Sequence, residues 1–351
     1  MPPFVDDISP KGQFINGLLS TYREKMTIIN PSHYPGYHCA STGIRNIVNF
    51  HGFSWSEPIC FGIGAGLGIW YMGFQNSSPS RMIHVRSADI EKQFFTRIGQ
   101  NFHWEQYDDP LEAENALLHR LDQGIPVILQ SDIYHLPYYD TRTHFPGHVI
   151  TVWGYDRMKQ VFYITDTERE NILAVPFDNM RKARFCKDAY FNIQGNLYAP
   201  ENLVIPENMP KIILGSILHN SRVLMDDKLD FQGVKALQKW KKEISAWKHF
   251  EDWKWTARFA YQVIEKRGTG GGGFRKMYSE FLTEASNYIP RIESLGLPEM
   301  MKETMSAWTG LALSLKAVSD HDKPDFSDVE KKLDSLEKRE VSYHKTALTL
   351  E

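Results

Sequence analysis

Cysteine is scarce in this chain. Cys39, Cys60 and Cys186 stand far apart and form no C-x-x-C pair, which argues against a disulfide framework and against a zinc site of paired cysteines. Long apolar runs are missing too. The longest stretch, 61–74, is broken by glycines and falls short of the roughly 20 residues a bilayer span needs. Between Met1 and Gln13 no basic segment leads into an apolar run, so no secretory signal is expected. An excess of charge of one sign is absent: the formal net charge is −3. A nucleic-acid binder would carry a basic domain, and nothing draws this chain to a membrane surface. No repeat of solenoid period is present. These absences predict a cytoplasmic protein in a reducing compartment, without nucleic-acid or membrane partners.

What remains is a globular composition. The chain has 351 residues, of which 42% are hydrophobic and 13% aromatic, enough core for two ordinary domains or one large one. The spacing predicts a helix over 40–51, where Ile44, Ile47, Val48 and His51 share one face and Gly52 follows as a stop. Ser56 suits the N-cap of a second helix running into the glycine-rich 62–68 segment. A third helix is expected over 111–123, ended by Gly124. Three strands follow at 126–130, 148–153 and 161–165, each short, β-branched or aromatic. Gly154-Tyr155-Asp156-Arg157 reads as the turn between the last two. Beyond about residue 195 prolines punctuate a connection and helical patterns dominate. Leu237, Trp240, Ile244 and Trp247 recur at helical spacing, and helices are expected over 253–265, 274–287, 299–319 and 327–340. The fold class is therefore α+β, with domains expected at 1–195 and 196–351.

Three residues point to chemistry. Cys39 begins the first predicted helix, and helix N-terminal N–H groups favour thiolate over thiol. The same N–H groups suit an oxyanion. The ordinary fate of such a cysteine is a small buried hydrophobe, so position alone does not decide. His148 opens a strand in Gly-His-Val-Ile-Thr-Val, where a base would be rigidly held. Asp166 closes the next strand. If those strands form a hairpin, Asp166 reaches His148 and orients its ring; otherwise it is a turn residue. Several other groups have two readings. His33 and His38 would donate to an oxyanion or simply pack the segment leading to Cys39. Asp132 and Tyr134, just past a strand, would hold a cationic amine or make a local ion pair. Glu57 would do the same or only complement a helix dipole. The glycine-rich 268–273 segment lacks the features of a phosphate or dinucleotide loop and reads as a tight connection or a lining of the site's mouth. Lys235, Lys239, Lys241, Lys242, Lys248, Lys254 and Arg258 form either a solvated helix face or a docking surface for an acidic partner. No metal constellation stands out.

Six segments carry a resemblance. His33-Tyr-Pro-Gly-Tyr-His-Cys-Ala-Ser-Thr-Gly-Ile-Arg-Asn resembles the start of the butirosin biosynthesis protein H family. The likeness continues at Ser56-Glu57, at Gly62-Ile-Gly-Ala-Gly-Leu-Gly, at Asp132-Ile-Tyr-His-Leu-Pro-Tyr-Tyr and at Gly147-His148 through Gly154-Tyr155-Asp156. Ile264-Glu-Lys-Arg-Gly-Thr-Gly-Gly-Gly-Gly-Phe-Arg-Lys-Met-Tyr is similar to the domain that accompanies this family. The resemblance implies a papain-like cysteine fold, with a helical domain covering or completing the site. It implies transfer of an acyl or aminoacyl group from an acyl or peptidyl carrier protein to a small amine. By it Cys39 is the nucleophile, His148 the base and acid, and Asp166 the orienting group. Phosphopantetheine would arrive on the donor, so the chain needs no bound cofactor. The alternatives are a cysteine peptidase, amidase or thioesterase of the same fold, and a non-catalytic binding module with an inert cysteine.

Overall fold

The structure is a computed structural model, and it describes residues 25–74, 77–186 and 193–351. Its contacts gather into two units that interleave along the chain. The first holds the residues up to Pro35 together with Trp104–Asn202, and the second holds Gly36–His103 with Leu203–Glu351. A single cut near residue 195 therefore does not describe the contacts. The reason lies in the second unit. Asn220 holds both the N–H and the carbonyl of Leu67, Tyr71 donates to Glu243, and a Cβ on Gly62 would strike the Phe281 ring. The 36–103 segment is built into the C-terminal helices.

The first unit is a mainly antiparallel sheet. Its centre is a strand, β5 (His148–Asp156), buried at every position. In chain order the other strands of the sheet are β1 (Met26–Ile28), β4 (Val127–Ser131), β6 (Val161–Thr165), β7 (Leu173–Pro176) and β10 (Leu197–Tyr198). The order is β10-β4-β5-β6-β7. On one edge of β5, β4 pairs with His148–Val152 and β1 with Gly154–Asp156. The β-branched run Val149-Ile150-Thr151-Val152 explains β5 and the alternating Phe162 and Ile164 explain β6; all six are buried. A helix, α4 (Pro110–Asp122), starts on the Asp109 N-cap, whose carboxylate accepts from Leu111 and Glu112 N–H. Gly124 follows at φ +76°, as a helix stop requires.

The expected turn at 154–157 is displaced. β5 continues through Gly154 to Asp156, and the turn falls at 157–160. Gly154 serves a close approach instead: a Cβ there would lie 2.1 Å from the Thr27 carbonyl of β1. A short helix, α5 (Phe177–Ala183), and the paired β8 (Phe185–Cys186) and β9 (Ile193–Gln194) complete the first unit.

The second unit is mostly helical. It opens with α1 (Cys39–Phe50) and α2 (Glu57–Ile63), capped by Ser56 as expected. A hairpin of β2 (Leu67–Gly73) and β3 (Arg81–Arg86) comes next, where the sequence pattern predicted only a glycine-rich helix end. Then come α3 (Ile90–Arg97), α6 (Met209–Met225), α7 (Gly233–Glu243), α8 (Trp253–Glu265), α9 (Arg275–Ala285), α10 (Arg291–Ser294), α11 (Leu297–Asp320) and α12 (Ser327–Leu348). The α6 helix escaped the sequence reading because Pro210 looked like a breaker. It sits in the first turn after the Asn208 cap, where proline costs nothing. The core includes Trp240, Trp247 and Trp308.

Candidate active site

The sheet brings two of the predicted residues into contact. Pairing of β5 with β6 sets Thr151 opposite Thr165, which carries Asp166, one residue past the strand, beside the head of β5. His148 Nε2 lies 2.8 and 2.9 Å from the two Asp166 oxygens. Both residues are buried, at 6% and 2% exposure. Further donors surround the carboxylate: Tyr138 Oη at 2.6 Å and Thr167 Oγ1 at 2.9 Å. Burial alone would raise the Asp166 carboxyl. The opposing charge of His148 and the bonds from His148, Tyr138 and Thr167 outweigh it and hold the group at about 2. Burial, and then the Asp166 charge, push the Tyr138 phenol well up, so it stays a donor. The Tyr139 hydroxyl is 3.1 Å from His148 Nε2. Arg169 lies over the Tyr138 and Tyr139 rings. The result is a charged carboxylate locked to one ring nitrogen of a fixed imidazole.

Cys39 belongs to the second unit and is the first residue of α1, after the His38 N-cap. It is partly exposed, whereas Cys60 and Cys186 are buried, and the three form no disulfide. Burial raises the Cys60 thiol well above its ordinary value, which suits an inert core group. The sequence pattern predicted one apolar face for the first helix. In the structure every residue from Ala40 to Val48 is buried, so α1 is embedded on all sides.

Glu57 fixes the chain where α1 begins. Its carboxylate accepts from the Tyr37 and His38 N–H groups, both at 2.9 Å, from Ser41 Oγ at 2.8 Å and from Thr42 Oγ1 at 3.1 Å. It is 5% exposed. His38 packs edge-on against Phe274 and Phe61, with centroids 5.1 and 6.0 Å away. The glycine-rich loop lies against the same segment: a Cβ on Gly270 would meet the Tyr37 ring at 3.1 Å, and one on Gly268 the Tyr37 carbonyl at 2.9 Å.

Comparison with known families agrees with these motifs. Residues 38–167 match the family described as butirosin biosynthesis protein H, N-terminal, and residues 178–347 match a domain of unknown function, DUF4872. This pair of domains, in this order, is consistent with the butirosin biosynthesis protein H family. A search of curated proteins gave no match. The family's N-terminal match contains Cys39, His148 and Asp166, and its limits cross both structural units.

The other predicted residues have defined places too. His33, in the first unit, bonds through Nε2 to the Arg169 carbonyl at 2.8 Å. Tyr134 is half-exposed and stacks on His144, with centroids 4.2 Å apart. Asp132 is fully buried; it accepts from the Phe145 N–H at 2.8 Å, and its other oxygen lies 2.6 Å from His144 Nδ1. These bonds fold the 133–147 loop back onto the end of β4. Asp132, His144 and Cys186 also present ligand atoms that all lie within 4.8 Å of one another. No sequence spacing announces that cluster, since its members come from a strand end, a loop and a separate hairpin. The basic stretch is largely neutralised: Lys239, Lys241, Lys254 and Arg258 pair with Asp230, Asp334 and Glu337, Asp322, and Asp320 respectively. No helix among the described residues is long and apolar enough to cross a membrane.

Proposed function

We propose that this protein is a cysteine-dependent N-acyltransferase of antibiotic or related natural-product biosynthesis, moving an acyl or aminoacyl group from a carrier-protein thioester to an amine. The His148–Asp166 contact is the observation that most supports the reading. A carboxylate held ionised against Nε2 fixes the imidazole and stabilises its protonated form. That leaves Nδ1 as the nitrogen to exchange a proton with a thiol. A thiol at the first position of an embedded helix, in a segment pinned by Glu57, suits the nucleophile.

In this reading His148 takes the Cys39 proton and the thiolate attacks the thioester carbonyl. The carbon–sulfur bond to pantetheine breaks, and the departing thiolate takes the proton from imidazolium. The exchange of one thioester for another is nearly balanced. An amine, as its free base, then attacks the acyl-cysteine. His148 receives the proton from nitrogen and returns it to the Cys39 sulfur as the amide leaves. Backbone N–H groups at the start of α1 would hold the oxyanion of each tetrahedral intermediate. Phosphopantetheine comes with the donor, so the chain holds no cofactor of its own for this chemistry.

A thioesterase or amidase of the same fold would use the same residues with water as acceptor. The test is to supply an acyl-loaded carrier protein with and without a panel of primary amines and to quantify amide and acid by mass spectrometry. Amide formation that depends on both partners supports transfer. Release of the acid at one rate whatever the amine would overturn it in favour of hydrolysis.

A further inference from the structure

The cluster of Asp132, His144 and Cys186 lies outside the proposed reaction and within the first unit. We propose that it is a binding site for a divalent metal ion of the zinc class. Each residue offers a different ligand type: a carboxylate oxygen, an imidazole nitrogen and a thiol sulfur, all mutually within 4.8 Å. This mixed nitrogen, oxygen and sulfur set suits zinc, which binds such groups at roughly 2.0–2.3 Å in a tetrahedron.

The surroundings orient the ligands. One Asp132 oxygen, Oδ1, is held by the backbone N–H groups of Phe145 at 2.8 Å and Tyr134 at 3.2 Å. The other, Oδ2, is turned to His144 Nδ1 at 2.6 Å, and the Cys186 thiol also donates to this carboxylate. Oδ2 is thus aimed at the cluster by contacts made to its sibling, the kind of outer support that metal ligands use. His144 is fixed in plane by the stacked Tyr134 ring. Asp132 and Cys186 are buried, while His144 is 36% exposed at its side chain. The ion would enter past His144, and solvent would supply a fourth ligand.

The protons and charges balance. Binding replaces two hydrogen bonds by metal bonds. The Cys186 thiol loses its proton to solvent, and the Nδ1 proton that joins His144 to Asp132 is given up to solvent, so that His144 ligates through Nδ1 with its remaining proton on Nε2. The ion's two positive charges then meet one thiolate and one carboxylate, so the buried site is neutral. Tetrahedral geometry needs the nitrogen and oxygen about 3.3 Å apart, and His144, on a partly exposed loop, gives that distance by moving outward. The site ties the 133–147 loop, which leads directly into His148, to the β8 strand.

The experiment is titration of the full-length apo protein with Co²⁺ and then Zn²⁺, followed by absorption and by bound-metal analysis after gel filtration. One equivalent of Co²⁺ should give tetrahedral visible bands and a near-ultraviolet thiolate-to-cobalt band, both displaced by Zn²⁺. Cys186→Ser should lose the near-ultraviolet band and weaken binding about 100-fold or more. His144→Ala, a change at a partly exposed position, should weaken binding to a similar degree. Cys39→Ala should keep the band. Absence of the band in the wild type, its persistence in Cys186→Ser, or its loss in Cys39→Ala with retention in His144→Ala would each overturn the assignment.

Discussion

His148 and Asp166 meet through a single ring nitrogen, Nε2, at 2.8 Å, although eighteen positions separate them in sequence. The β5–β6 pairing creates that contact, and Tyr138 and Thr167 complete the carboxylate's shell. If it orients the base, Asp166→Ala should lower kcat/KM by about 100-fold or more, and Asp166→Asn by less, because the amide oxygen still accepts from Nε2. Steady-state kinetics on the two variants check this; equal losses would contradict an orienting role.

The same carboxyl makes a prediction about acid stability. Folding lowers it from the ordinary 3.8 to about 2. A group depressed in the folded state adds stability that is complete above its unfolded value and is lost as pH falls through its folded value. The wild type should therefore lose roughly 2 kcal/mol from this group between about pH 4 and pH 2. Asp166→Asn should lack that component, so the two urea midpoints should converge as the pH drops through this window.

Glu57 should matter for stability more than a surface glutamate does. Four donors around the start of α1 depend on it. Glu57→Ala removes the acceptor these four donors share and should cost about 3 kcal/mol or more, with Glu57→Gln intermediate. Denaturant titration of both variants measures the order; a change within about 0.5 kcal/mol for Glu57→Ala would rule out the clamp.

Two glycines should respond in opposite directions. Gly272 has φ +56°, and an added Cβ would sit 2.9 Å from the Met305 carbonyl oxygen. Gly272→Ala should destabilise by more than about 1 kcal/mol. Gly215 lies inside α6 with nothing within 4 Å of an added Cβ, and Gly215→Ala should stabilise by up to about 1 kcal/mol. Paired thermal melts read both.

Much of this was legible in the sequence, and the exceptions have physical causes. The α+β class and the helices at 111–123 and 253–265 follow from periodicity and caps, and the structure places them within a residue or so. The His148–Asp166 contact needed only the hairpin to form. The β2–β3 hairpin was missed because glycines at 62, 64, 66 and 68 mask its pattern. They are there for packing: a Cβ on Gly68 would strike the Arg86 carbonyl of β3 at 2.1 Å. Helix α12 runs on to Leu348 because Tyr343, His344 and Ala347 are buried beyond its charged start. The Asp132 cluster was invisible because tertiary structure alone assembles it.

In the proposed reaction Cys39 carries the acyl group. Its most direct test is intact-mass and peptide analysis after brief mixing with an acyl-pantetheine thioester in the absence of amine. One acyl adduct per chain is expected, mapped to Cys39, absent in Cys39→Ala and discharged as amide when amine is added. An adduct on Cys60 or Cys186, or undiminished turnover by Cys39→Ala, would contradict it.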